Sequence, residues 1–456
     1  MTTIFSSNGH GSTALVIGGG IAGIQAALDI ADAGYQVYLV ERSPSIGGRM
    51  AQLDKTFPTL DCSSCILTPK MVDVGRHPNI YLLTYSEVAS VSEHDGGFRV
   101  QIKKKPRYVD VDKCRGCGLC AEACRLSGRV VSDFNAGIAK RAAIYVPFPQ
   151  AVPMVYTVDL QACVYLTRGV CGKNFKCKDA CPEDAIDFEQ TEEFLEVDVG
   201  AIVVATGYDV FDPSLKPEFG YDVYPEVITT LEFERLASAS GPTAGVISFN
   251  GRVPRQVVFI QCVGSRDRCL GLPNCSRVCC MAVAKQAHLA HDRLPNAEIT
   301  VFYMDVRAFG KGFEEFYDRV RQEGVIYRRG SPSEINRRGE KVVMRAEDTL
   351  LGELVEVEAD LVVLAVGMLP RQDAGEVAQS LGLSRGEDGY FLEAHPKLRT
   401  VESNVPGVFL AGCCQGPKDI PDTVTHAKAA ASAAMILLVN KGTRIQAEER
   451  GSVDPV

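Results

Sequence analysis

Two runs of cysteine carry the clearest chemical signal in the sequence. The first run has the spacing C-x2-C-x2-C-x3-C and consists of Cys114, Cys117, Cys120 and Cys124. The second run has longer gaps, ends in a Cys-Pro pair, and consists of Cys163, Cys171, Cys177 and Cys181. A structural zinc site needs only four thiolates and usually shows paired C-x2-C arms. Two runs in succession instead predict iron–sulfur clusters, and with them a protein that transfers electrons.

The spacing also predicts which cysteines share a cluster. In bacterial two-cluster ferredoxins, three closely spaced thiolates hold one cluster and the fourth binds the other cluster. One 4Fe-4S cluster is therefore expected on Cys114, Cys117, Cys120 and Cys181. The other is expected on Cys163, Cys171, Cys177 and Cys124.

Length and composition narrow the class of protein. A chain of 456 residues suggests two or three domains, and its net charge of −9 argues against a nucleic-acid partner. The 17 cysteines could form disulfides in a secreted protein, but residues 1–12 are polar and contain no apolar signal segment. No apolar run approaches the roughly 20 residues that span a bilayer. We therefore expect a cytoplasmic protein with reduced thiols and no direct membrane insertion.

A glycine-rich turn near the start of the chain predicts a dinucleotide site. A short apolar run leads into the G-x-G-x-x-G motif of Gly18, Gly20 and Gly23. These glycines permit a tight turn, close approach of the backbone to a pyrophosphate, and packing of helix on strand. Glu41 ends the next strand, about 20 residues later, where a ribose hydroxyl needs an acceptor. Arg42 could instead bind the 2′-phosphate of NADP, although a charged residue at this point is usually solvated.

Three further segments favour FAD as the dinucleotide. They are a glycine pair after the second strand, an Ala-Thr-Gly strand end, and a glycine-rich segment near the C-terminus, and each resembles a segment of two-dinucleotide flavoproteins. The candidate contacts that they contribute are Gly48, Arg49, Ala205, Thr206, Gly207 and Gly412. The FAD domain is therefore expected to be discontinuous, with the cluster module inserted between two of its strands.

A second nucleotide-type fold follows but lacks its glycine motif. A buried strand, a helix over about 276–293 and a strand over 298–304 are typical of a doubly wound unit. The turn after the first of these strands contains Gln261, Cys262 and only one glycine, Gly264. Side chains there would block the approach of a pyrophosphate, so we expect no direct use of NAD(P)H.

Cysteines occupy the place of the missing glycines. Together they could hold a third 4Fe-4S cluster on Cys262, Cys275, Cys279 and Cys280. The dipole of the following helix would favour the negative charge of such a cluster. The alternative is that Cys262 is a buried apolar residue and that Cys279 and Cys280 are reactive thiols.

Taken together, these motifs resemble the A-type subunits of heterodisulfide reductase, and the resemblance covers nearly the whole chain. The further segments that carry it are 262–267, 275–280 and 303–307. It implies an α/β protein with two doubly wound dinucleotide-binding-type domains, thioredoxin-reductase-like in fold, and an inserted bacterial-type ferredoxin domain. Larger members carry extensions, so we interpret the chain as a short form without the extra terminal ferredoxin domain.

The resemblance and the motifs together predict the domain boundaries. The FAD-binding domain is expected in three parts, over 1–106, 191–235 and 396–456. The two-cluster ferredoxin domain is expected over 107–190, and the second Rossmann-like domain over 236–395.

The implied function is FAD- and iron–sulfur-dependent electron transfer, as an oxidoreductase subunit of a CoB–CoM heterodisulfide-reductase-like complex. The implied partners are B/C-like subunits, a subunit that donates electrons and, by analogy alone, a second copy in a homodimer. Whether the flavin bifurcates electrons or only relays them stays open, as do the donor and the acceptor. The alternatives are a self-contained NAD(P)H-dependent disulfide reductase and a non-catalytic electron-wiring module.

Three smaller features have no settled role. The pair Cys62-x-x-Cys65 could be a redox disulfide, two cluster ligands or two thiols in a tight turn, and it would be the catalytic pair of the self-contained reductase. Cys413 and Cys414 are expected to pack near the flavin ring, with a redox role as the minority interpretation. The basic run formed by 103–105 and Arg107 is expected to be solvated, with docking of an acidic partner as the alternative.

Overall fold

The computed structural model describes residues 13–171, 175–248 and 251–451. Residues 1–12 and 452–456, which the predicted boundaries assign to the FAD-binding domain, lie outside the described residues. Among the described helices, none combines the length and the apolar character needed to cross a membrane. Strands and helices are numbered below along the chain.

The first domain is built on a seven-stranded sheet. Its strands are β1 (Thr13–Ile17), β2 (Gln36–Glu41), β3 (Ile80–Thr84), β11 (Ala201–Val204), β22 (Glu393–His395), β23 (Arg399–Ser403) and β24 (Val408–Leu410). Their order across the sheet is β22-β23-β24-β11-β1-β2-β3, and the pairs from β24 to β3 are parallel. Because parallel sheets are covered on both faces, β11 is buried at every residue.

Each face of this sheet is covered by a different layer. One face carries the helices α1 (Ile21–Asp32), α2 (Ser63–Arg76) and α10 (Ile420–Gly451). Alanine lines the contact between α1 and α10, which lets the two helices approach closely. The other face carries α9 (Ala374–Leu381) and an antiparallel sheet of β4 (Ser86–His94), β5 (Gly97–Lys104) and β10 (Glu193–Val199).

The cysteine-rich module lies between β5 and β10. It contains short helices and strands held by a small core of its own. The helices are α3 (Leu119–Ala123), α4 (Val164–Arg168) and α5 (Lys176–Asp179). The strands are β6 (Val130–Val131), β7 (Lys140–Arg141), β8 (Ile144–Tyr145) and β9 (Thr157–Val158).

A second parallel sheet forms the other large domain. Its order is β13-β20-β14-β15-β16, and the strands are β13 (Val227–Thr229), β14 (Gln256–Val263), β15 (Glu298–Tyr303), β16 (Ile326–Arg329) and β20 (Leu361–Val366). It packs with the helices α6 (Thr230–Ala237), α7 (Cys279–Arg293) and α8 (Phe313–Gln322). An antiparallel sheet covers the other face with β17 (Pro332–Arg338), β18 (Lys341–Asp348) and β19 (Glu353–Ala359). The two domains are joined where β12 (Asp209–Val210) pairs with β21 (Met368–Leu369).

The structure differs from the sequence predictions at three element boundaries. Residues 227–229 pair in parallel with β20, so they belong to the second sheet, although the predicted boundary at 235 gave them to the FAD-binding domain. Helix α9, predicted within the second domain, instead packs under the first sheet. Helix α7 begins at Cys279 rather than near 276, because Arg277 has a positive φ of 61°, which a right-handed helix excludes.

The basic run 103–105 is neither free nor simply solvated. Lys103 pairs with Glu192 at 2.6 Å, Lys104 pairs with Glu193 at 3.2 Å, and Lys105 pairs with Glu87. These carboxylates come from the strands and strand ends beside β5. The run therefore supports the small antiparallel sheet, and docking of an acidic partner is not needed to explain it.

Candidate flavin cavity and cysteine sites

A cavity of about 940 Å³ lies between the first domain, the cysteine-rich module and the second domain. Most of the predicted cofactor contacts line it: Gly18, Gly20, Glu41, Arg42, Gly48, Arg49, Ala205, Thr206 and Gly207. Gly23 and Gly412 are not in its wall but pack directly behind it. The volume is at the upper end of the range for ligand pockets, as a dinucleotide requires.

Each of the three glycines of the motif has a different structural role. A Cβ on Gly18 would lie 2.4 Å from the carbonyl oxygen of Ala205, and one on Gly23 would lie 1.8 Å from that of Gly18. A Cβ on Gly20 would meet only the Cα of Gly48, at 4.0 Å, so its open side faces the cavity. Gly18 and Gly23 are therefore required by packing, whereas Gly20 leaves room for a ligand beside the first turn of α1, where phosphates bind.

Glu41 ends β2 with its carboxylate held in the cavity wall. One carboxylate oxygen accepts from the backbone N–H of Gly19 at 2.6 Å, and the other accepts from that of Ser43 at 2.7 Å. The neighbouring Arg42 pairs with Asp373 at 2.5 Å, so its charge is already compensated. The glycine turn, the helix N-terminus and the acidic residue fit FAD, and Arg42 gives no reason to prefer a 2′-phosphate.

A buried ion pair faces the same cavity and escaped the sequence predictions. Lys285 and Glu234 are 2% and 3% exposed and contact each other in the cavity wall. The ammonium group also donates to the carbonyl oxygen of Lys55 at 2.9 Å. Gln286 donates to Glu234 at 2.5 Å, and the backbone N–H of Asp54 donates to Glu234 at 3.0 Å. The one available signal was a lysine on the otherwise apolar face of α7.

The cysteine-rich module forms part of the cavity wall. Phe134 and Phe148 of the module stack at 4.6 Å between ring centroids, and both line the cavity. The fully buried Arg235 donates to the side-chain oxygen of Asn135 and to the carbonyl oxygen of Gln52, each at 3.1 Å. Its guanidinium also lies 4.9 Å from the centre of the Phe134 ring. Arg235 thus joins all three modules beside the cavity.

Each predicted cysteine quartet of the module surrounds a small cavity of its own. One cavity, of about 20 Å³, is lined by Cys114, Cys117, Cys120 and Cys181. The other, of about 30 Å³, is lined by Cys124, Cys163, Cys171 and Cys177. These are the groupings that the spacing predicts.

The thiols within each quartet influence one another. The pKa of Cys120 is raised to about 12, mainly by burial and next by the neighbouring thiol of Cys114. Burial, followed by Cys124, raises the pKa of Cys177 to about 11. Within the described ranges, no three His, Cys, Asp or Glu side chains are close enough to bind a single metal ion. The thiols around these two small cavities are the type of ligand that iron–sulfur clusters take.

The third group of cysteines lies at the carboxyl end of β14 and the N-terminus of α7. Burial raises the pKa of Cys279, and Cys262, Cys280 and Cys275 raise it further, so the four thiols are neighbours. Cys279 also lines the flavin cavity, whereas the thiol of Cys280 donates to the side-chain oxygen of Gln261 at 3.4 Å. These residues could hold a cluster that borders the flavin.

The strand end that would bind a second nucleotide is filled by side chains. A Cβ on Gly264 would lie 2.0 Å from the ring of Phe211, which packs directly on that turn. Cys262 has a positive φ of 62°, and the loop up to residue 278 separates β14 from α7. This geometry supports the prediction that NAD(P)H does not bind there.

Four of the five remaining cysteines form two pairs in the sequence, and the pairs lie in different surroundings. Cys62 caps the N-terminus of α2 and accepts from the backbone N–H of Cys65 at 3.3 Å, but neither residue is among those that line the flavin cavity. Cys413 does line the cavity, and its thiol donates to the carbonyl oxygen of Lys418 at 3.5 Å. Cys414 is buried against the sheet. The expected packing role therefore suits Cys414 better than Cys413.

Comparison with known proteins agrees with this geometry. Residues 278–431 match the family of pyridine nucleotide-disulphide oxidoreductases, residues 14–59 match FAD dependent oxidoreductases, and residues 107–125 match the 4Fe-4S binding domain. The thioredoxin reductase of Lactococcus lactis is 14% identical and has a TM-score of 0.51 over 94% of this chain and 99% of its own. The predicted fold, a thioredoxin-reductase-like flavoprotein with a ferredoxin-type segment, is confirmed.

Several curated relatives are identical to this chain at about half of the aligned positions. The A-type subunit of the H(2):CoB-CoM heterodisulfide,ferredoxin reductase of Methanothermobacter marburgensis is 51% identical over 437 residues, which are 95% of this chain and 65% of the relative. The second A-type iron-sulfur subunit of the CoB--CoM heterodisulfide reductase of Methanopyrus kandleri is 55% identical, over 93% of this chain and 64% of its own. The chain thus spans just under two thirds of the length of these relatives. Over nearly all of its own sequence, the chain is similar to A-type heterodisulfide reductase subunits.

Proposed function

We propose that the chain is an electron-transfer subunit that binds FAD in the large cavity and a 4Fe-4S cluster at each of the three cysteine quartets. The observation that carries this proposal is the composition of one cavity wall. The glycine turns of the first domain, Phe134 and Phe148 of the cysteine-rich module, and Cys279 of the third quartet all line it. A cofactor in this cavity would lie between the two cluster-bearing modules, as an electron junction requires.

The residues of the chain supply binding, orientation and charge. Gly20 leaves space for the pyrophosphate and Glu41 presents a carboxylate to a ribose. The buried pair of Lys285 and Glu234 places a positive and a negative charge together in the wall, next to the space where a bound group would lie. When bound, FAD supplies the exchange between two-electron and one-electron transfer. The aromatic side chains of the module exclude water from one side of the cavity.

The names of the relatives describe A-type subunits of CoB-CoM heterodisulfide reductases. We propose that this chain likewise acts as an oxidoreductase subunit with B- and C-like partners and a separate electron donor. A homodimeric core belongs to the same proposal, as does a cytoplasmic location, where thiol ligands stay reduced. Three clusters around one flavin offer the two separate electron paths that bifurcation needs. If electrons leave the flavin along only one of these paths, the subunit relays electrons without bifurcation.

A self-contained NAD(P)H-dependent disulfide reductase is the second candidate. The packing of Phe211 on Gly264 disfavours this candidate, because the pyrophosphate of a nucleotide cannot approach the protein backbone at that turn. The position of Cys62 and Cys65 outside the cavity wall also disfavours it, because a redox disulfide must reach the flavin.

The test is an anaerobic titration of the cluster-loaded protein with NADH, then NADPH, then dithionite. The absorbance of the flavin is monitored throughout. We expect no bleaching by either nucleotide and full bleaching by dithionite. Rapid bleaching by a nucleotide would contradict the proposal and favour the self-contained reductase. Iron analysis should give about twelve iron atoms per chain, since each cubane holds four.

A further inference from the structure

His426 connects the C-terminal helix α10 to the turn that borders the flavin cavity. Its Nδ1 atom accepts a hydrogen bond from the backbone N–H of Gly412 at 3.0 Å. Its Nε2 atom lies 3.1 Å from the carbonyl oxygen of Thr400 on β23. A carbonyl can only accept, so Nε2 carries the proton and Nδ1 is left as the acceptor. Both hydrogen bonds can exist together only while the imidazole is neutral.

Gly412 is closely confined by residues of the cavity wall. Its φ is 71°, and a Cβ at this position would lie 2.8 Å from the Cβ of Ala22 and 3.1 Å from the Cγ2 of Thr423. Ala22 and Thr423 both line the flavin cavity, and so does Cys413, the next residue of the turn. The hydrogen bond to His426 therefore fixes a segment that shapes the wall, although His426 itself does not line the cavity.

The surroundings of His426 favour the neutral form. Burial lowers its pKa below the usual value and Lys418, in the loop before α10, lowers it further. Thr400, Glu393 on β22 and Asp422 on α10 act in the opposite direction. Because the folded protein binds this proton less readily than the unfolded chain, the stabilisation is present above the usual histidine pKa and declines as the pH falls through it.

We propose that His426 is a positioning residue of the FAD site, whose neutral imidazole holds the Gly412 turn and whose protonation releases that turn and weakens FAD binding. A proton on Nδ1 would face the N–H of Gly412, so two donors would meet and the hydrogen bond would be lost. The inference rests on the proposed FAD site and adds to it a dependence on mildly acidic pH.

The test measures retention of FAD by the complete purified chain, from the fluorescence of released flavin, at about pH 8 and about pH 5, the lower pH being chosen because the pKa of His426 lies below the usual histidine value. His426→Asn is the informative variant, because its side-chain oxygen can replace Nδ1 as an acceptor and does not titrate. His426→Gln is a second variant, in case Asn disturbs folding. His288→Asn is the matched control, since the imidazole of His288 is likewise held by a neighbour, the carboxylate of Glu323, but lies outside the cavity wall.

In the unaltered protein and in His288→Asn, we expect FAD to dissociate about fivefold more readily at the lower pH, which corresponds to the loss of one hydrogen bond. In His426→Asn this pH dependence should disappear, with FAD binding at the higher pH close to that of the unaltered protein. The same pH dependence in His426→Asn and in the unaltered protein would overturn the inference while leaving the FAD site standing. Failure of the unaltered protein to bind FAD at either pH would contradict the proposed function itself, and this inference with it.

Discussion

Cys279 and Lys285 lie on one helix and in the wall of one cavity. Cys279 is the first residue of α7, and Lys285 follows about 9 Å along the helix axis. A single rigid element therefore carries both a ligand of the proposed third cluster and the buried cation of the flavin cavity. A shift of α7 as a unit would therefore move both groups together.

Replacement of Lys285 by Met should leave Glu234 buried without its partner. Breaking a buried pair in this way costs about 3–5 kcal/mol of the free energy of unfolding. Loss of the positive charge should also lower the reduction potential of the flavin, since the reduced form carries more negative charge. Denaturant unfolding and a redox titration measure the two effects. Lys428→Met, at an exposed pair with Asp29, is the control and should change neither quantity measurably.

Gly20→Ala and Gly23→Ala should fail in different ways. Alanine at Gly20 meets no atom closer than 4.0 Å, so the free energy of unfolding without FAD should fall by about 1 kcal/mol or less. Its methyl group faces the cavity, so FAD binding should weaken at least tenfold. Alanine at Gly23 would lie 1.8 Å from a carbonyl oxygen and should prevent stable folding. Equal FAD affinity in Gly20→Ala and the unaltered protein would contradict the proposed pyrophosphate position.

Exchange of ligands between the two cysteine runs can be tested with Cys124→Ser. This variant should lose the cluster of the second run, and about four iron atoms per chain, while keeping that of the first run. Cys181→Ser should show the reverse. Iron analysis and the electron paramagnetic resonance of the dithionite-reduced protein distinguish the two cases. Cys269→Ser removes an exposed cysteine outside all three quartets and should keep the full iron content.

Arg235→Lys should loosen the cysteine-rich module from the flavin cavity. Lysine has one nitrogen in place of the planar fork, so it cannot bind Asn135, Gln52 and the Phe134 ring together. We expect a loss of about 1–3 kcal/mol in the free energy of unfolding, because buried acceptors lose their donor. The module should also become accessible to limited proteolysis near residue 135. Asn135→Ala removes the hydrogen bond to the module but keeps the contact with the Phe134 ring, so it should give a smaller loss of stability and weaker proteolysis.

The sequence predicted those parts of the site that depend on short spacing. The glycine turn and Glu41 follow from local geometry that nearby residues determine, whereas the grouping of the eight cysteines follows from the known ferredoxin pattern of two successive runs. The Lys285–Glu234 pair could not be found in this way, because its members are brought together by the packing of α6 on α7. The boundary at 235 was misplaced for a similar reason, since the pairing of β13 with β20 joins segments more than a hundred residues apart.

The way in which the cysteine-rich module is attached bears on whether this module could be replaced by another. Lys104 at the end of β5 lies opposite Glu193 at the start of β10, so the chain leaves and re-enters the first domain at a single antiparallel pair. In topology the whole module is the loop of one β-hairpin, and a tight turn could close the same pair of strands. The cluster-bearing module on this side of the cavity could thus be replaced by another insertion without any change in how the strands of the underlying sheet are connected.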